Sequence, residues 1–575
     1  MAITLTPRYS AEIKKGSNTP NVIVEVAFDS GVKRFGYHGK NSLPVTHYRA
    51  DGSFKADGPV YAVGSDELPE VSPVLKSVSS MQNKLDTKSG YSTRGSLTVV
   101  ISGRDNFKGL VRDNYLKNRR VTRKDGFISP GFTYMDYAAT FTGIITDWSR
   151  KGDELTITVS DDLAEASCKI PQESPSGTQY LDYRNTHPAD VMADILVNRI
   201  GIQASYVDTA KFASERDLWS SGWRFDRVIT EPKEANLYLN ELQIETNSYI
   251  IHDGEKISYK VFAPPVPADQ VEEWTDATDI LKGSVSQKSG YRDGFYNRIV
   301  VYFDYDESGN DRTDNFESAV IALDASSQAP SFWNEASTKT IKSKWIRTRT
   351  YAKTTNIGGV KVYHVSRANG TGAGTLAYNR LSNTLQWTSP GGTIGEAVIL
   401  SKDGKYQVMS LDKTRYIRVI VNTANLPPAG ATDTVTVTPL DGDAMAANLA
   451  TKLLSRYRDP ASSVSLEIDI NNAVFNSRFI KPTDLKDITT DDACEKGYGS
   501  WTKERVMITS VRPDFASGKV TIEAVETKMY RVYGFIPAAL FPDYGPSSQT
   551  QRLYGYIGNA SNRVNAGTKD GYYIW

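Results

Sequence analysis

The feature that most constrains the fold is a similar hairpin pattern in each half of the 575-residue chain. Residues 141–163, FTGIITDWSRKGDELTITVSDDL, contain two stretches of alternating apolar and polar residues around a polar turn at Gly152. Residues 506–527, VMITSVRPDFASGKVTIEAVET, repeat this plan with Gly518 in the turn. Because side chains alternate between the two faces of a strand, each segment predicts a β-hairpin. The pair predicts two copies of one barrel-like module, with chance recurrence in a β-rich chain as the alternative.

A partial sequence echo lies ahead of each hairpin. Residues 86–103, DTKSGYSTRGSLTVVISG, and residues 286–306, SQKSGYRDGFYNRIVVYFDYD, both run from Lys-Ser-Gly-Tyr into β-branched residues. We interpret the echoes as the opening strands of the two copies. The distance from the tyrosine of the echo to the hairpin is 50 positions in the first copy and 215 in the second. The second copy is therefore expected to contain an insertion.

Most of the extra length falls in residues 357–439, which predict a small β-sandwich inserted in a surface loop. Residues 415–439, for example, contain two alternating stretches around a proline-glycine loop. Closing a longer loop adds little entropic cost, so a barrel tolerates such an insertion. Four aromatic residues of the segment would suit either a sandwich core or stacking on a sugar: Trp387, Tyr378, Tyr363 and Tyr406.

Helical periodicity is confined to three segments: residues 184–201, 232–242 and 441–460. In the first segment, Thr186 or Asn185 can cap the helix, Pro188 suits its first turn and Gly201 suits its C-terminal end. The second helix is expected to begin around Pro232. The third repeats apolar residues every four positions: Met445, Leu449 and Leu453. Because the helical segments are so few, we expect the helices to support a β framework.

The predicted fold class is mainly β (α+β), because 32 tyrosines, 43 glycines and 25 prolines suit strands joined by tight turns. Two tube-like β-barrel domains are expected to flank a small α/β domain, with an inserted β-sandwich and an extended C-terminal arm. The predicted ranges are 1–170 for the first barrel, 171–270 for the α/β domain, 271–356 plus 440–530 for the second barrel with a supporting helix, 357–439 for the sandwich and 531–575 for the arm.

The charge balance limits the kinds of partner. Lysine plus arginine number 67, and aspartate plus glutamate also number 67, so the formal net charge is zero. Proteins that grip nucleic acid usually carry a basic excess, so DNA binding is not expected as the main function. One basic run, most simply a solvated loop, could still contact an acidic protein ring or DNA. Its residues are Arg112, Lys117, Arg119, Arg120, Arg123 and Lys124.

The cysteines and the N-terminus indicate a reducing compartment. Two cysteines, Cys168 and Cys494, are too few for a disulfide framework, and two thiols are expected rather than one bridge. The N-terminal residues contain no apolar run of signal-peptide length. We therefore expect synthesis in the cytoplasm without export by that route.

The sequence contains no motif of a known catalytic site. None of the five histidines lies in HExxH or at metal-ligand spacing from cysteine or carboxylate, and no GxSxG, P-loop or GxGxxG fingerprint is found. His187 is expected to begin a helix, and His252 to lie beside a hairpin turn. We therefore predict no catalytic residues, no metal and no cofactor. A carboxylate pair brought together by folding, as in glycosidases, is the alternative.

Several segments resemble the trimeric tail hub, or baseplate hub, proteins of tailed bacteriophages, including the hubs of long non-contractile tails. They are residues 141–163, 324–346 (DASSQAPSFWNEASTKTIKSKWI), 453–468 (LLSRYRDPASSVSLEI), 505–526 (RVMITSVRPDFASGKVTIEAVE) and the ending 552–575 (RLYGYIGNASNRVNAGTKDGYYIW). The predicted order of barrel, small α/β domain and second barrel is also similar to that family. The inserted sandwich departs from the minimal hub plan.

The resemblance implies a structural virion protein without enzymatic activity at the distal end of a phage tail. Such a hub adapts a sixfold tail tube to a threefold tip and forms part of the channel for DNA release, since three chains with two barrels each present six similar modules. The alternatives are a glycan-binding tail-tip adhesin and, less favoured, a tail-associated cell-wall hydrolase. The implied location is the virion tail tip, after synthesis in the host cytoplasm.

The resemblance also implies the partners. They are two further copies of the chain in a homotrimer, a distal tail or tail-tube ring, a tail fibre or spike, a tape measure protein, transient DNA and a host glycan at the inserted domain. The aromatic C-terminal arm and the basic run are the candidate interfaces. The arm residues singled out are Tyr554, Tyr556, Tyr572, Tyr573 and Trp575.

Overall fold

The computed structural model describes residues 6–13, 15, 19–37, 44–45, 60–61, 71–79, 83–86, 91–92, 96–103, 110–174, 177–178, 181–229, 232–252, 256–263, 271–288, 295–306, 312–325, 327–330, 334–353, 363–368, 370–400, 404–410, 413–421, 429–458, 461–469, 480–495, 499–514 and 519–527. Strands dominate these residues, so the predicted mainly β fold class is confirmed. No helix in these ranges is long and apolar enough to cross a membrane.

The elements are numbered in chain order. The first part of the chain contains α1 Pro7–Ile13, β1 Pro20–Phe28, β2 Gly31–Gly36, β3 Pro44–Val45, β4 Val60–Tyr61, β5 Leu75–Val78, β6 Asn83–Asp86, β7 Tyr91–Ser92, β8 Ser96–Ser102, β9 Arg120–Phe127, β10 Ala138–Lys151 and β11 Glu154–Ser160. The middle contains β12 Lys169–Ile170, β13 Glu173–Ser174, β14 Gly177–Thr178, β15 Leu181–Asp182, α2 Pro188–Asp194, α3 Thr209–Trp219, β16 Val228–Ile229, β17 Lys233–Glu234, α4 Ala235–Thr246, β18 Ser248–His252, β19 Ile257–Val261, β20 Glu273–Thr275, β21 Ser286–Lys288, β22 Arg298–Tyr305, β23 Phe316–Leu323 and β24 Thr338–Lys342. The last part contains β25 Arg349–Lys353, β26 Tyr363–Ala368, β27 Gly372–Asn379, β28 Thr384–Thr388, β29 Val398–Ile399, β30 Lys405–Met409, β31 Tyr416–Val421, β32 Thr432–Pro439, α5 Gly442–Tyr457, β33 Ser463–Asp469, β34 Leu485–Glu495, β35 Gly499–Asp514 and β36 Lys519–Glu526.

The first large sheet curls into a barrel. Its seven strands lie in the order β2-β1-β9-β10-β11-β8-β5, and all neighbours are antiparallel. Ser72, just ahead of β5, forms backbone hydrogen bonds with Arg34 and Gly36 of β2, which links the two edges. Alternate residues of β8 and β11 point inward and are buried, as the period-2 pattern predicts. Their aliphatic side chains fill the barrel interior.

The second large sheet is closed by one segment that contacts both of its edges. Four strands lie in the order β34-β35-β36-β33. At one edge β20 pairs in parallel with β34, and at the other β21 pairs antiparallel with β33. Between β20 and β21, Leu281 donates a backbone hydrogen bond to Glu467 of β33. Trp274 of β20 is fully buried in the barrel core with Leu466 and Ile508.

A third core joins the central α/β segment to elements that the sequence assigned to the second barrel. Strands β23-β22-β24 form a separate three-stranded sheet, and α5 packs on it. Ile299 of β22 and Leu449 of α5 share one hydrophobic core with Val191 of α2 and Leu242 of α4. The assignment of β22 to β24 and α5 to the second barrel is therefore corrected, because their apolar faces are buried against the central helices. The division of the chain into domains otherwise stays a prediction.

The inserted segment forms two facing sheets around one core. Strands β25-β32-β27-β28-β29 make one sheet and β26-β31-β30 the other. Strand β25 pairs with β32, so the sandwich includes Arg349–Lys353, ahead of residue 357. Strands β31 and β32 alternate as predicted, but they belong to opposite sheets.

The helix ends differ in detail from the prediction. The cap of α2 is His187 rather than Thr186 or Asn185, because its Nδ1 accepts a hydrogen bond from the Ala189 backbone N–H at 3.0 Å. The helix continues as a π-helical turn and ends at Gly201, whose φ of 91° requires the left-handed region. Helix α4 begins at Ala235, later than predicted, because Lys233–Glu234 pair with β12. Helix α5 matches the predicted third helix, whereas α3 was not predicted.

The burial of His187 predicts a loss of stability in mild acid. Burial lowers the pKa of His187 to about 4, from an ordinary value of 6.5. The unfolded chain therefore binds one more proton than the folded chain between these values, so stability falls as the pH drops through this window. We expect a loss of about 2 to 3 kcal/mol at pH 4.5 relative to pH 7, measured by urea unfolding. A His187→Asn variant keeps a capping side chain that does not titrate there, and it should lose less. Equal losses in both proteins would contradict this assignment.

Candidate assembly surfaces of the two barrels

The two barrels share five strands in the same arrangement. In chain order these are β5, β8, β9, β10 and β11 in the first barrel, and β21, β33, β34, β35 and β36 in the second. In space they lie in the orders β5-β8-β11-β10-β9 and β21-β33-β36-β35-β34, with antiparallel neighbours throughout. The equivalence ends at the sixth strand, because β1 is antiparallel to β9 whereas β20 is parallel to β34.

A β-bulge lies at the same place in both barrels. The register of β10 with β11 shifts after Ile145, and that of β35 with β36 shifts after Ile508. In each case the extra residue is a threonine that donates its hydroxyl hydrogen to a carbonyl of the opposite strand. Thr146 bonds the Thr158 carbonyl at 3.3 Å, and Thr509 bonds the Glu523 carbonyl at 3.0 Å. Because a bulge changes the bend and twist of a strand, matching bulges indicate one barrel geometry built twice.

In each copy, a residue with left-handed backbone dihedrals donates its N–H to the isoleucine that precedes the bulge. Asn118 has φ of 63° and donates its backbone N–H to the Ile145 carbonyl at 2.8 Å. Thr483 has φ of 82° and donates its backbone N–H to the Ile508 carbonyl at 2.8 Å. Non-glycine residues rarely adopt this region, and for β-branched threonine it is costly. The shared conformation strengthens the equivalence of the two barrels.

The sequence echo lies in the same connection of both barrels but does not open equivalent strands. Tyr91 begins β7, and the next strand, β8, belongs to the first barrel. Lys288 ends β21, but the next strand, β22, lies in the separate three-stranded sheet. The true equivalent of β8 is β33, because the whole stretch from β22 to α5 interrupts the second copy between β21 and β33. Residues 87–90 and 289–294 lie outside the described residues.

A short hairpin from the first barrel reaches the second. Strands β6 and β7 leave the first barrel between β5 and β8, and β6 pairs with β35 through Asn83–Val511 and Lys84–Ser510. The side chain of Leu85 is only 2% exposed and packs with Tyr249, Ile251, Phe262 and Met507. We call this set, with Leu85, the barrel junction. It joins the first barrel, the central β18–β19 hairpin and the second barrel.

A polar cluster also joins the first barrel to the central part. Arg120 of β9 donates to both carboxylate oxygens of Asp162, at 2.8 and 3.1 Å, and lies 3.4 Å from the ring centre of Tyr206. His252 of β18 lies 3.7 Å from Asp162 and 3.1 Å from the Thr142 hydroxyl. Burial alone would raise the pKa of Asp162, but hydrogen bonds from His252 and Arg120 outweigh it and lower that pKa. The cluster is an internal polar network built on the Arg120–Asp162 ion pair.

The basic run is largely matched by acidic residues of the same chain. Besides the pair of Arg120 with Asp162, the pairs are Arg112 with Asp113, Arg119 with Asp29, Arg123 with Asp125 and Lys124 with Glu25. Arg123 is 4% exposed and also donates to the Ser79 carbonyl at 3.0 Å. Lys117 is exposed. Most of this positive charge is therefore paired within the chain, and a contact with DNA or an acidic ring stays a prediction.

The other predicted interface lies outside the described residues. Tyr554, Tyr556, Tyr572, Tyr573 and Trp575 all follow Thr527, the last described residue, so the C-terminal arm stays a prediction.

Two of the four aromatic residues singled out in the sandwich lie in its core. Trp387 is 1% exposed and Tyr378 is 2% exposed, and both pack in the sandwich interior. Tyr406 is half-buried against the same core. Trp387 and Tyr378 therefore contribute to folding, and their rings offer no face to a sugar.

The described residues bring together one set of catalytic residue types, without catalytic geometry. Thr142, His252 and Asp162 are the kinds of residue found in a nucleophile triad. Both contacts, however, involve Nε2 of His252, whereas a triad needs the hydroxyl and the carboxylate on opposite ring nitrogens. All three side chains are buried. Among the residues that the structure describes, no cluster of three potential metal ligands occurs. No disulfide joins Cys168 to Cys494, both of which are described.

Comparisons with known proteins give distant structural similarities. Neither a protein-family model nor a curated protein matches the chain. The chain is similar to the 43 kDa tail protein of prophage MuSo2 from Shewanella oneidensis, with 10% identity over 89% of this chain and 99% of that chain and a TM-score of 0.37. It is similar to a chain in the virion of the native gene transfer agent (GTA) particle, with 12% identity over 79% and 91% of the two chains and a TM-score of 0.20. It is also similar to a chain of the half-lidded Francisella PdpA-VgrG complex, with 10% identity over 90% of this chain and 60% of that chain and a TM-score of 0.36.

Proposed function

We propose that the chain is a structural subunit of a phage tail, the hub at its distal end. Three copies would form a ring of six barrels that matches a sixfold tail tube on one side and a threefold tip on the other. The observation that carries this proposal is the repeated five-strand barrel with the same bulge, at Thr146 and Thr509. A homotrimer of such chains resolves the symmetry mismatch without a second gene product, because each chain supplies two similar modules.

The barrel junction supports this function mechanically. A ring of barrels has to keep a fixed spacing while the tail is assembled and used, and two barrels joined only by a flexible linker would not. Here the β6–β7 hairpin extends the sheet of the second barrel, and Leu85 fixes it in an apolar core. The two barrels of one chain are therefore held as one unit. The neutral net charge suits a channel through which DNA slides without binding tightly.

Further partners follow from the same proposal. The sixfold face would contact a distal tail or tail-tube ring, and the threefold face a fibre or spike. A tape measure protein and then DNA would pass through the centre. The protein would be located at the virion tail tip after synthesis in the host cytoplasm.

The two rival functions receive less support. A hydrolase would need reactive groups that solvent can reach, but the Thr142, His252 and Asp162 side chains are buried and wrongly arranged. A glycan-binding adhesin would need exposed aromatic faces, but Trp387 and Tyr378 lie in the sandwich core. Neither purified-protein clearing of peptidoglycan nor binding to host polysaccharide is expected.

The mass of the purified protein tests the proposal. We expect native mass spectrometry at micromolar concentration to give three times the chain mass of 63.6 kDa. A protein that stays monomeric, both alone and when mixed with its tail-tube ring, would overturn the proposed function. A dimer or tetramer would do so as well, because neither presents six barrels.

A further inference from the structure

The two equivalent strands β10 and β35 differ in how their second edge is covered. Beyond the bulge, each strand pairs on one side with its hairpin partner, β11 or β36. On the other side, strand β9 ends its pairing with β10 at Ile144, and strand β34 ends its pairing with β35 at Met507. Each barrel therefore has a stretch of strand edge, just past the bulge, that its own sheet leaves open.

On β35 this edge is covered from within the chain. Strand β6 of the first barrel pairs with Ser510 and Val511, the two residues directly after the bulged threonine. Ser510 is only 1% exposed. The backbone groups of the edge are thus satisfied by strand addition, the usual way in which an open edge recruits another chain segment.

On β10 no described strand covers the corresponding edge, where the Trp148 backbone N–H donates a hydrogen bond to the Asp147 carboxylate at 2.8 Å. The residues that match Ser510 and Val511 are Asp147 and Trp148, which also follow directly after the bulged threonine. Residues 147–151 are all exposed, and Trp148 is 39% exposed. Within the part of the chain that the structure describes, no strand pairs with β10 along this edge.

We propose that the edge of β10 at residues 147–149 binds a strand of a second copy of this chain. The inference rests on the proposed function and names the contact between its subunits. In a ring of six barrels every barrel is followed by another, so a contact made by one pair should recur around the ring. The first barrel covers the second within each chain, and the proposal assigns the cover of the first barrel to a strand of the neighbouring chain.

The size and chemistry of the edge fit this occupant. Strand β6 pairs with only two residues of β35. An equivalent contact on β10 therefore needs only a short strand from the neighbouring chain. Arg150 and Lys151 follow residues 147–149 in β10. Charged side chains on an edge strand disfavour unspecific pairing with other chains. Trp148 supplies a large apolar contact of the kind that dominates interface energies. A ring contact of this kind is heterologous, since different surfaces of the two copies meet.

A Trp148→Lys variant tests the proposal with native mass spectrometry of the full chain. We expect the wild-type protein to be a trimer and the variant to associate at least about tenfold more weakly. Met135→Lys is the matched control, because Met135 is 72% exposed and precedes the other end of β10 in the same barrel. It should remain a trimer. Circular dichroism and melting curves establish that all three proteins are folded.

The possible results distinguish failure of the proposed contact from failure of the proposed function. A wild-type trimer with an equally stable Trp148→Lys trimer overturns the proposed contact and leaves the proposed function standing. A wild-type protein that stays monomeric, both alone and when mixed with its tail-tube ring, overturns both.

Hydrogen exchange on the wild-type protein gives an answer that does not depend on any variant. Backbone amides of residues 147–149 that are not bonded to β11 should exchange at least about tenfold more slowly in the trimer than unprotected amides. Exchange of these amides at the unprotected rate overturns the proposed contact.

Discussion

A Leu85→Asp variant is expected to lose the coupling between the two barrels and at least about 4 kcal/mol of stability. Leu85 is 2% exposed and packs with Tyr249, Ile251, Phe262 and Met507, so an aspartate there would have to ionise among apolar side chains or leave the core. If the hairpin leaves, β35 also loses its contact with β6 at Ser510 and Val511. We expect differential scanning calorimetry to show one melting transition in the wild-type protein and two in the variant.

The control for this experiment is Leu381→Asp in the sandwich. Leu381 is 92% exposed, so the same change there should alter stability by no more than about 0.5 kcal/mol. A Leu85→Asp protein that melts in one transition at the wild-type temperature would show that β6 does not connect the barrels. Hydrogen exchange at residues 510 and 511 gives the same answer locally, because loss of the hairpin exposes their amides.

The second large effect is expected from Gly143→Ala in β10. A methyl group at Gly143 would overlap the Ser160 carbonyl oxygen of the neighbouring strand, and it would lie 3.0 Å from the ring of Phe141. Backbone cannot move aside as a flexible side chain can, so the strands must separate. We expect a loss of about 2 to 4 kcal/mol, measured by urea unfolding.

Gly222→Ala is the matched control, because nothing lies within 4 Å of a methyl group at that position. It should be neutral, or stabilising by less than about 1 kcal/mol through the lower entropy of the unfolded chain. Equal stability of the two variants would contradict the close packing of β10 on β11. The equivalent residue in the second barrel is Val506, which is fully buried, so the two copies fill this position in different ways.

The hairpins were predictable because their signal is local. In both segments the apolar residues alternate over a whole strand, and the two strands are adjacent in sequence. The same holds for the supporting helix α5, where Met445, Leu449 and Leu453 lie on one buried face. The sequence carries a further signal of the repeat: Ile145-Thr146 and Ile508-Thr509 are the same dipeptide at the same point of the two hairpins.

The barrel junction was not predictable from the sequence. Strand β6 has four residues and no alternating pattern of its own, and its partner on β35 lies more than 400 positions away. The wrong assignment of β22 has a similar cause. Its sequence is that of a buried strand, and only the tertiary contacts of Ile299 with α5 place it in the central core rather than in the barrel.

Local counts of charged and aromatic residues do not by themselves determine what those residues contact. Arg119 and Arg120 appear unpaired in the sequence, because their partners Asp29 and Asp162 lie far from them along the chain. Trp387 and Tyr378 are residue types that more often form a sandwich core than a sugar site, and their burial places them in the core. His187 was recognised as a helix-start residue, but its role as the cap itself depends on the position of its ring.

The most direct test of the account is an image of the assembled protein by electron cryomicroscopy. Averages without imposed symmetry should show a threefold ring of six barrels around one axis, with the first and second barrels alternating. Barrels of one chain that do not lie side by side around a common axis, or a ring with any other number of chains, would contradict the account.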